Sequence, residues 1–213
     1  MSEAQAHYLK NVLRRAAGDS VRVFNARDGE FAAAVEALDK RGGIVRCGGR
    51  LRAPRAPQRR LHLVFPPLAK DRMDFLIEKS VELGATDLHP VTTRQCDIRK
   101  INAERLAAQI IEAAEQCERL DIARLHPLQP LEELMRQWDT ATPLFAAVER
   151  SDAAPLRPVG GDCALLVGPP GGFSDEEKEK LANHAAIRPV TLTDTILRTE
   201  TAAIYGLSVI GTG

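Results

Sequence analysis

GPPGGFS at Gly168–Ser174 and LTDTILRTET at Leu192–Thr201, two stretches near the C-terminus, set the fold of this chain. Each follows a short apolar run, Cys163–Val167 in the first case and Pro189–Leu192 in the second, and each leads into a predicted helix. The uninterrupted run Cys163–Val167 is typical of a strand buried on both faces of a parallel sheet. Two consecutive strand-to-helix loops at the carboxyl end of one sheet indicate either a ligand crevice or a pair of ordinary turns.

The first loop combines a permissive backbone with a helix start. Its glycines allow the chain to turn and to approach a ligand closely. Ser174 is a predicted N-cap, and three carboxylates follow it in the first turn, at Asp175, Glu176 and Glu177. These acids argue against a phosphate ligand at this helix. The spacing fits neither GxGxxG nor GxxxxGK(S/T), so a dinucleotide or nucleoside triphosphate site is not predicted.

From Leu61 onward, apolar runs alternate with helical patterns, which predicts a doubly wound parallel sheet. No internal repeat or low-complexity tract interrupts this alternation. The predicted strands are 61–65, 87–91, about 123–126, 144–148 and 163–167, and the predicted helices between them are 72–83, 103–120 and 131–138.

The N-terminal part has a different pattern. A helix-like segment at 4–17 is followed by alternating runs at 20–24, 30–38 and 44–47, which Asp-Gly and Gly-Gly turns separate. These runs predict the β-hairpins of a small sheet or barrel. Residues 48–60, GGRLRAPRAPQRR, contain five arginines and are predicted to be a linker or loop without regular structure. RNA contact and simple solvation both explain those arginines.

The 213 residues have a formal net charge of zero, but the charges are unevenly distributed. Residues 1–60 hold 13 Lys and Arg against 6 Asp and Glu, an excess of seven positive charges, and the remainder holds 16 against 23, an equal negative excess. The basic part is explained either by a polyanionic partner or by a well-solvated surface. No apolar stretch approaches 18 residues and no signal-peptide pattern is present, so we predict a soluble, cytoplasmic protein without membrane association.

The cysteines and histidines show no metal-ligand spacing. The four cysteines lie far apart without a CxxC pair, which predicts reduced structural thiols. The five histidines contain no HExxH-like spacing, so no metal site is predicted.

Five stretches together resemble a known family. They are GPPGGFSDEE and ILRTETAA, at 168–177 and 196–203, with LAKDRMDFLIEKSVELGATDLHPVTTRQC at 68–96, IIEAAEQCERL at 110–120 and HYLKNVLRRAAGDSVRVFNARDGEF at 7–31. The chain resembles the small-subunit ribosomal RNA uridine-N3 methyltransferases, the RsmE-type members of the SPOUT superfamily. The matches cover most of the chain in the family's order.

This resemblance implies a SPOUT methyltransferase domain at 61–213, with a parallel sheet tied in a trefoil knot. A PUA-like RNA-binding β-barrel at 1–52 and a linker at 53–60 would precede it. The strand that normally opens the family's barrel is absent here, which predicts an unpaired sheet edge. The implied cofactor is S-adenosylmethionine, and the implied substrate is N3 of one uridine in small-subunit (16S) ribosomal RNA or the 30S subunit. Homodimerisation through the knotted domain is also implied.

The resemblance assigns roles to individual residues. N3 of uracil carries a proton at neutral pH, so the site needs a proton acceptor and a group that stabilises negative charge on the base. Arg198 is the candidate for polarising the base. Glu200 is the nearest carboxylate and the candidate proton acceptor; the alternative is a purely structural role in the first turn of the helix. The predicted cofactor-binding residues are Val167, Gly168, Pro169, Gly171, Gly172, Leu192, Thr193, Ile196 and Leu197. The predicted RNA-binding residues are Lys10, Arg14, Lys70, Arg72, Arg94, Gln116 and Arg119.

The two loops depart from the family pattern at three positions. Pro170 stands where a glutamate is usual, and Thr193 and Thr195 stand where glycine and arginine are expected. Pro170 removes a backbone donor, and Thr193 adds branched bulk near the expected cofactor. Two other functions therefore stay open: an RNA-binding or ribosome-assembly protein that has lost turnover, and a SPOUT methyltransferase for another RNA.

Overall fold

The computed structural model describes residues 1–211, and the chain divides into two units after Ala56. The first unit begins with helix α1 (Glu3–His7), which continues as a π-helical turn to Val12. The predicted helix 4–17 is thus too long: Arg14 adopts a left-handed backbone with φ of 53°. The domain boundaries at 52 and 61 stay predictions.

Three antiparallel strands follow in the order β1-β2-β3: β1 (Ser20–Asn25), β2 (Gly29–Leu38) and β3 (Gly43–Arg52). The prediction that residues 48–60 lack regular structure is wrong for 48–52. Arg50 pairs with Phe31 and Arg52 pairs with Glu30, after a register shift beside Gly48 and Gly49. Backbone pairing with β2 therefore overrides the weak strand propensity of the Gly-Gly step.

The second unit is built on a sheet of seven strands, in which every pairing is parallel. The order is β10-β8-β9-β4-β5-β6, and β7 pairs separately with β5. This confirms the predicted parallel α/β sheet; the trefoil knot stays a prediction. The elements are β4 (Leu61–Phe65), α2 (Lys70–Glu82), β5 (Asp87–Thr92), α3 (Ala103–Gln116), β6 (Arg124–Leu125), β7 (Gln129–Pro130), α4 (Leu131–Gln137), β8 (Leu144–Ala147), β9 (Cys163–Val167), α5 (Asp175–Asn183), β10 (Ile187–Val190) and α6 (Thr199–Gly211).

Helices cover both faces of this sheet. Side chains of α2, α3 and α6 pack with one set of sheet residues, which includes Leu63 and Leu165, and those of α4 and α5 pack with the other set, which includes Val64 and Leu166. All residues of β4 and β9 are buried, as expected for central strands covered on both faces. Within residues 1–211, no helix is long and apolar enough to cross a membrane.

Helix α3 ends at Gln116, four residues before the predicted end. Glu118 has a left-handed backbone with φ of 55°, and the amide of Arg119 donates to the carbonyl of Ala114 at 2.9 Å. Arg119, which falls inside the predicted helix 103–120, therefore lies beyond the end of α3.

Helix α6 approaches the central strand β9 closely at Gly206. A Cβ at this position would lie 2.5 Å from Cδ2 of Leu165, which is fully buried. Because interior side chains are close-packed, the side chains around Gly206 have little space into which they could move to admit a methyl group.

We expect Gly206→Ala to lower the free energy of unfolding by about 1–3 kcal/mol, because overpacking outweighs the better helix propensity of alanine. Urea unfolding at fixed pH measures the change. The matched control is Gly211→Ala in the same helix, where a Cβ meets no atom within 4 Å. Equal stability of the two variants would contradict the close packing.

Candidate functional site

A cavity of about 500 Å³ lies where three neighbouring parallel strands end. The strands are β10, β8 and β9, adjacent in the sheet in that order. Because parallel strands present their carboxyl ends at one edge, the loops that follow them meet there. The cavity is lined by residues of all three loops, with Lys178 from α5 and Ala202 from α6.

Most of the predicted cofactor-binding residues line this cavity. Val167 is instead buried as the last residue of β9. Gly171 lies against Gln95, whose Oε1 would be 2.9 Å from a Cβ at that position. The predicted residues that do line the cavity are Gly168, Pro169, Gly172, Leu192, Thr193, Ile196 and Leu197.

A third loop, which the sequence motifs did not predict, completes the cavity wall. It follows β8 and contributes residues 147–153, among them the carboxylates Glu149 and Asp152. Its chain then pairs with the end of β10: the amide of Leu156 donates to the carbonyl of Thr191 at 2.9 Å, and the amide of Thr191 donates to the carbonyl of Ala154 at 3.1 Å. In the sequence, this loop could be recognised only as two acids that follow the predicted strand 144–148, because it contains no known motif. Phe173, Thr191, Asp194 and Thr195 also line the cavity.

The Gly-rich loop is held by the buried carboxylate of Glu177. Ser174 is the N-cap, as predicted, and Glu177 forms a capping box with it: the Glu177 amide donates to Ser174 Oγ at 3.3 Å, and Glu177 Oε2 accepts from the Ser174 amide at 2.9 Å. The other oxygen, Oε1, accepts from the backbone amide of Arg94 at 2.9 Å. One side chain therefore joins the start of α5 to the loop after β5.

Two glycines of this loop are required by close approach. Gly172 has φ of +76°, and a Cβ there would lie 2.8 Å from Oε1 of Glu149. A Cβ on Gly168 would come within 3.0 Å of the Phe173 ring. At both positions the cavity edge is formed by backbone, with no side chain between it and a ligand.

The second signature loop is tied to the first. The hydroxyl of Thr199 donates to the carbonyl of Gly168 at 2.8 Å, which joins the start of α6 to the end of β9. Within the loop, Thr193 Oγ1 donates to the carbonyl of Thr195 at 2.7 Å. The hydroxyl of Thr193, one of the three departures from the family pattern, is thus engaged with its own loop.

The two catalytic candidates have different environments. Arg198 is exposed, whereas Glu200 is buried in the first turn of α6. Oε1 of Glu200 lies 3.8 Å from Nε of Arg72, and its buried Oε2 has no hydrogen-bond partner among the described residues. A buried carboxylate oxygen without a donor is costly to maintain, which is typical of functional sites.

The predicted RNA-binding residues fall into two groups. Lys10, Arg14, Lys70 and Gln116 are exposed and form no ion pair with any described residue, whereas Arg72, Arg94 and Arg119 contact acids of the protein. Arg94 contacts Glu176 at 2.5 Å. Arg119 donates to the carbonyls of Val81 and Ala85, at 2.5 and 3.0 Å, which indicates a structural role for its guanidinium.

The sequence matches known families over nearly its whole length. The profile described as RNA methyltransferase domain matches residues 54–211, and the profile described as RNA methyltransferase PUA domain matches residues 2–46. The ribosomal RNA small subunit methyltransferase E of Rickettsia conorii is 32% identical over 211 residues, which cover 97% of this chain and 86% of that protein. The chain belongs to the ribosomal RNA small subunit methyltransferase E family.

Solved structures are similar over the full chain. A methyltransferase from Legionella pneumophila in complex with the cofactor SAM is 32% identical, with a TM-score of 0.84, and the match covers 100% of this chain and 90% of that one. The ribosomal RNA small subunit methyltransferase E of Neisseria gonorrhoeae, bound to S-adenosyl methionine, is 28% identical with a TM-score of 0.83 and the same coverage. The resemblance inferred from the sequence is confirmed, as is a PUA-type domain before the α/β domain.

We expect Glu177→Ala to lower the free energy of unfolding by about 3 kcal/mol, because two amides lose a charged acceptor in a buried position. Urea unfolding checks this, and ligand binding at the cavity weakens in parallel because the Gly-rich loop loses its anchor. The control is Glu179→Ala, an exposed acid on the same helix. If both variants unfold at the same urea concentration, Glu177 does not hold the loop.

Proposed function

We propose that this protein uses S-adenosylmethionine to methylate N3 of one uridine in small-subunit ribosomal RNA. The observation that carries the proposal is the cavity at the carboxyl ends of β8, β9 and β10, which seven predicted cofactor-binding residues line. The relatives from Rickettsia and Neisseria are named as small-subunit ribosomal RNA methyltransferases, and the Neisseria structure is bound to S-adenosyl methionine.

The cavity fits the proposed cofactor in size and chemistry. Its volume of about 500 Å³ lies within the usual range for small-molecule sites. Ile196 is 57% exposed at its edge and offers an apolar surface for a ring to cover. The carboxylates of Glu149, Asp152 and Asp194 suit the cationic sulfonium and ammonium groups, while Lys178 suits a carboxylate. Bound there, S-adenosylmethionine supplies an electrophilic methyl carbon.

The protein's own part is to orient the uracil and to take its N3 proton. Glu200 suits the second task because its buried Oε2 accepts no hydrogen bond from the described residues. Arg72, whose Nε lies 3.8 Å from Glu200 Oε1, places a positive charge beside this carboxylate. Arg198 is exposed beside the cavity residue Leu197 and stabilises negative charge on the base.

Exposed cations of the N-terminal unit support RNA binding. Four of its arginines contact acids, whereas seven exposed basic residues make no ion pair within the part of the chain that the structure describes. These unpaired cations are available to phosphate groups. They are Lys10, Arg14, Arg15, Lys40, Arg41, Arg50 and Arg55.

The proposal includes a homodimer that acts in the cytoplasm, where ribosomal subunits are. Phe75 of α2 and Tyr205 of α6 are exposed by 46% and 41%, on two helices that pack together. Apolar surface of this kind supports association with a second copy.

One experiment tests the activity and its residues together. Undermethylated small subunits are incubated with the protein and S-adenosylmethionine, and the digested RNA is analysed by mass spectrometry. We expect N3-methyluridine with wild type and a fall of about 100-fold or more in the rate with Arg198→Ala or Glu200→Gln. Arg157→Ala and Glu179→Gln, at exposed sites, serve as controls and keep the wild-type rate.

Calorimetry with S-adenosylmethionine separates the ways in which the proposal can fail. Cofactor binding without any methylated uridine points to another RNA substrate. Neither binding nor methylation points to an RNA-binding protein without turnover, because Thr193 and Thr195 line the cavity where the family has glycine and arginine.

The RNA affinity should fall steeply with salt, since binding of phosphates by basic side chains releases counterions. We expect Lys10→Ala combined with Arg14→Ala to weaken binding and to reduce the slope of log affinity against log salt by about one for each phosphate that is no longer bound. Filter binding between low and physiological salt measures the slope. An unchanged slope in the double variant would show that neither residue binds a phosphate.

A further inference from the structure

A cluster of ionisable side chains lies towards the amino ends of β4 and β5, at the opposite end of the strands from the cofactor cavity. His62 and Asp87 are register partners in these two parallel strands, and His89 follows Asp87 by two residues and so points to the same face. The side chains are buried, with residue exposures of 9%, 3% and 7%. None of the three lines the cavity, so this cluster is independent of the proposed methyl transfer.

The ligand-type atoms of the three side chains converge. Nδ1 of His62 lies 3.0 Å from Nε2 of His89 and 3.9 Å from Oδ2 of Asp87, and one such atom from each residue lies within 4.8 Å of the others. In a tetrahedral zinc site with bonds of about 2.0–2.2 Å, neighbouring ligand atoms lie roughly 3.3 Å apart. Small side-chain adjustments therefore bring these atoms around one ion.

Surrounding residues hold the cluster in place. Asp87 Oδ1 accepts from Arg60 at 2.9 Å and pairs with His126 Nε2 at 2.8 Å, while Oδ2 accepts from the hydroxyl of Thr86 at 2.9 Å. The His89 ring stacks on His126 with centroids 3.8 Å apart, and the edge of Trp138 packs against it at 5.6 Å. Such outer partners are what fix the ligands of a metal site.

Hydrogen bonds within the protein leave the cluster incomplete. The 3.0 Å contact between the two imidazoles needs a proton on one of the facing nitrogens, and His89 Nδ1 is buried without a partner among the described residues. Burial, together with the charges of His126 and His62, lowers the pKa of His89 to about 3. Burial raises the pKa of Asp87, but hydrogen bonds from His126, Arg60 and Thr86 outweigh it and lower the pKa to about 2.

We propose that His62, Asp87 and His89 bind one divalent transition-metal ion of the zinc and cobalt class. Two imidazole nitrogens and one carboxylate oxygen form a donor set that suits these ions, and a fourth position is left for water. The ion takes the place of the proton between the two imidazoles, which moves to the other nitrogen of its own ring, and the ion joins β4 to β5. It reaches the cluster beside His126 and Arg60, whose side chains are 19% and 57% exposed.

The sequence did not predict this cluster, because its ligands come from two strands and no single segment has a metal-ligand spacing such as HExxH. Asp87-Leu88-His89 was the local signal: an acid and a histidine two residues apart on a strand share a face. The third ligand, His62, comes close only because β4 pairs with β5 in this register. The spacing of residues within one segment cannot predict such a pairing.

The test uses the full-length protein, stripped with a chelator and titrated with Co²⁺, with absorption spectroscopy as the readout. We expect one equivalent to bind and to produce the visible bands of a low-symmetry site without the charge-transfer band of a thiolate ligand. In a parallel thermal scan, Zn²⁺ at about 100-fold above its Kd raises the Tm by roughly 5–10 °C.

Variants identify the ligands. His62→Gln and His89→Gln should each lower Co²⁺ affinity by about 100-fold or more, since even loss of an outer partner costs up to that factor. His7→Gln removes an exposed histidine of the N-terminal unit and should bind like wild type. Because the wild-type titration alone can overturn the proposal, poor folding of a variant does not prevent the test.

Three outcomes would overturn the proposal: no Co²⁺ bands and no zinc-dependent shift of Tm, a thiolate band that shows cysteine ligation, or wild-type affinity in both histidine variants. The cluster would then be a hydrogen-bonded part of the core only. These readouts do not involve methyl transfer, so they are unaffected if the proposed function fails.

Discussion

The common direction of β10, β8 and β9 governs how the α/β unit is arranged. Short apolar strands covered by helices on both faces must be connected by crossovers, so every loop that leaves a carboxyl end lies at the same edge. Three such loops converge around the cavity there. Strand direction therefore determines where the cavity lies, and the individual side chains of the loops determine its chemistry.

The loops are held by polar contacts that cross between elements. Glu177 joins the start of α5 to the loop after β5, and Thr199 joins the start of α6 to the end of β9. Both residues also stand in the first turns of helices, where backbone amides lack intrahelical acceptors. Glu177 therefore completes the start of α5, and both residues position the cavity wall.

The two ends of the sheet carry different chemistry. At the carboxyl ends, exposed loops leave backbone groups and apolar side chains accessible to a ligand. At the amino ends, Asp87 and three histidines form one cluster, and Trp138 packs against the rings of His62 and His89. An open cavity suits a substrate that enters and leaves, whereas a buried cluster between two central strands suits a tightly held ion.

Local patterns in the chain were enough to predict the parallel α/β class, the strand Cys163–Val167 and the N-cap at Ser174, because periodicity and spacing report how each residue is buried or capped. The family resemblance supplied seven residues of the cavity. Tertiary packing determined the other features. The loop after β8 reaches the cavity through strand order, Arg119 turns inward because α3 ends early, and His62 meets Asp87 and His89 through the register of two strands 25 residues apart. Strand order and register depend on which distant segments bury each other's surface. The residue pattern of one segment does not identify the segment with which it pairs.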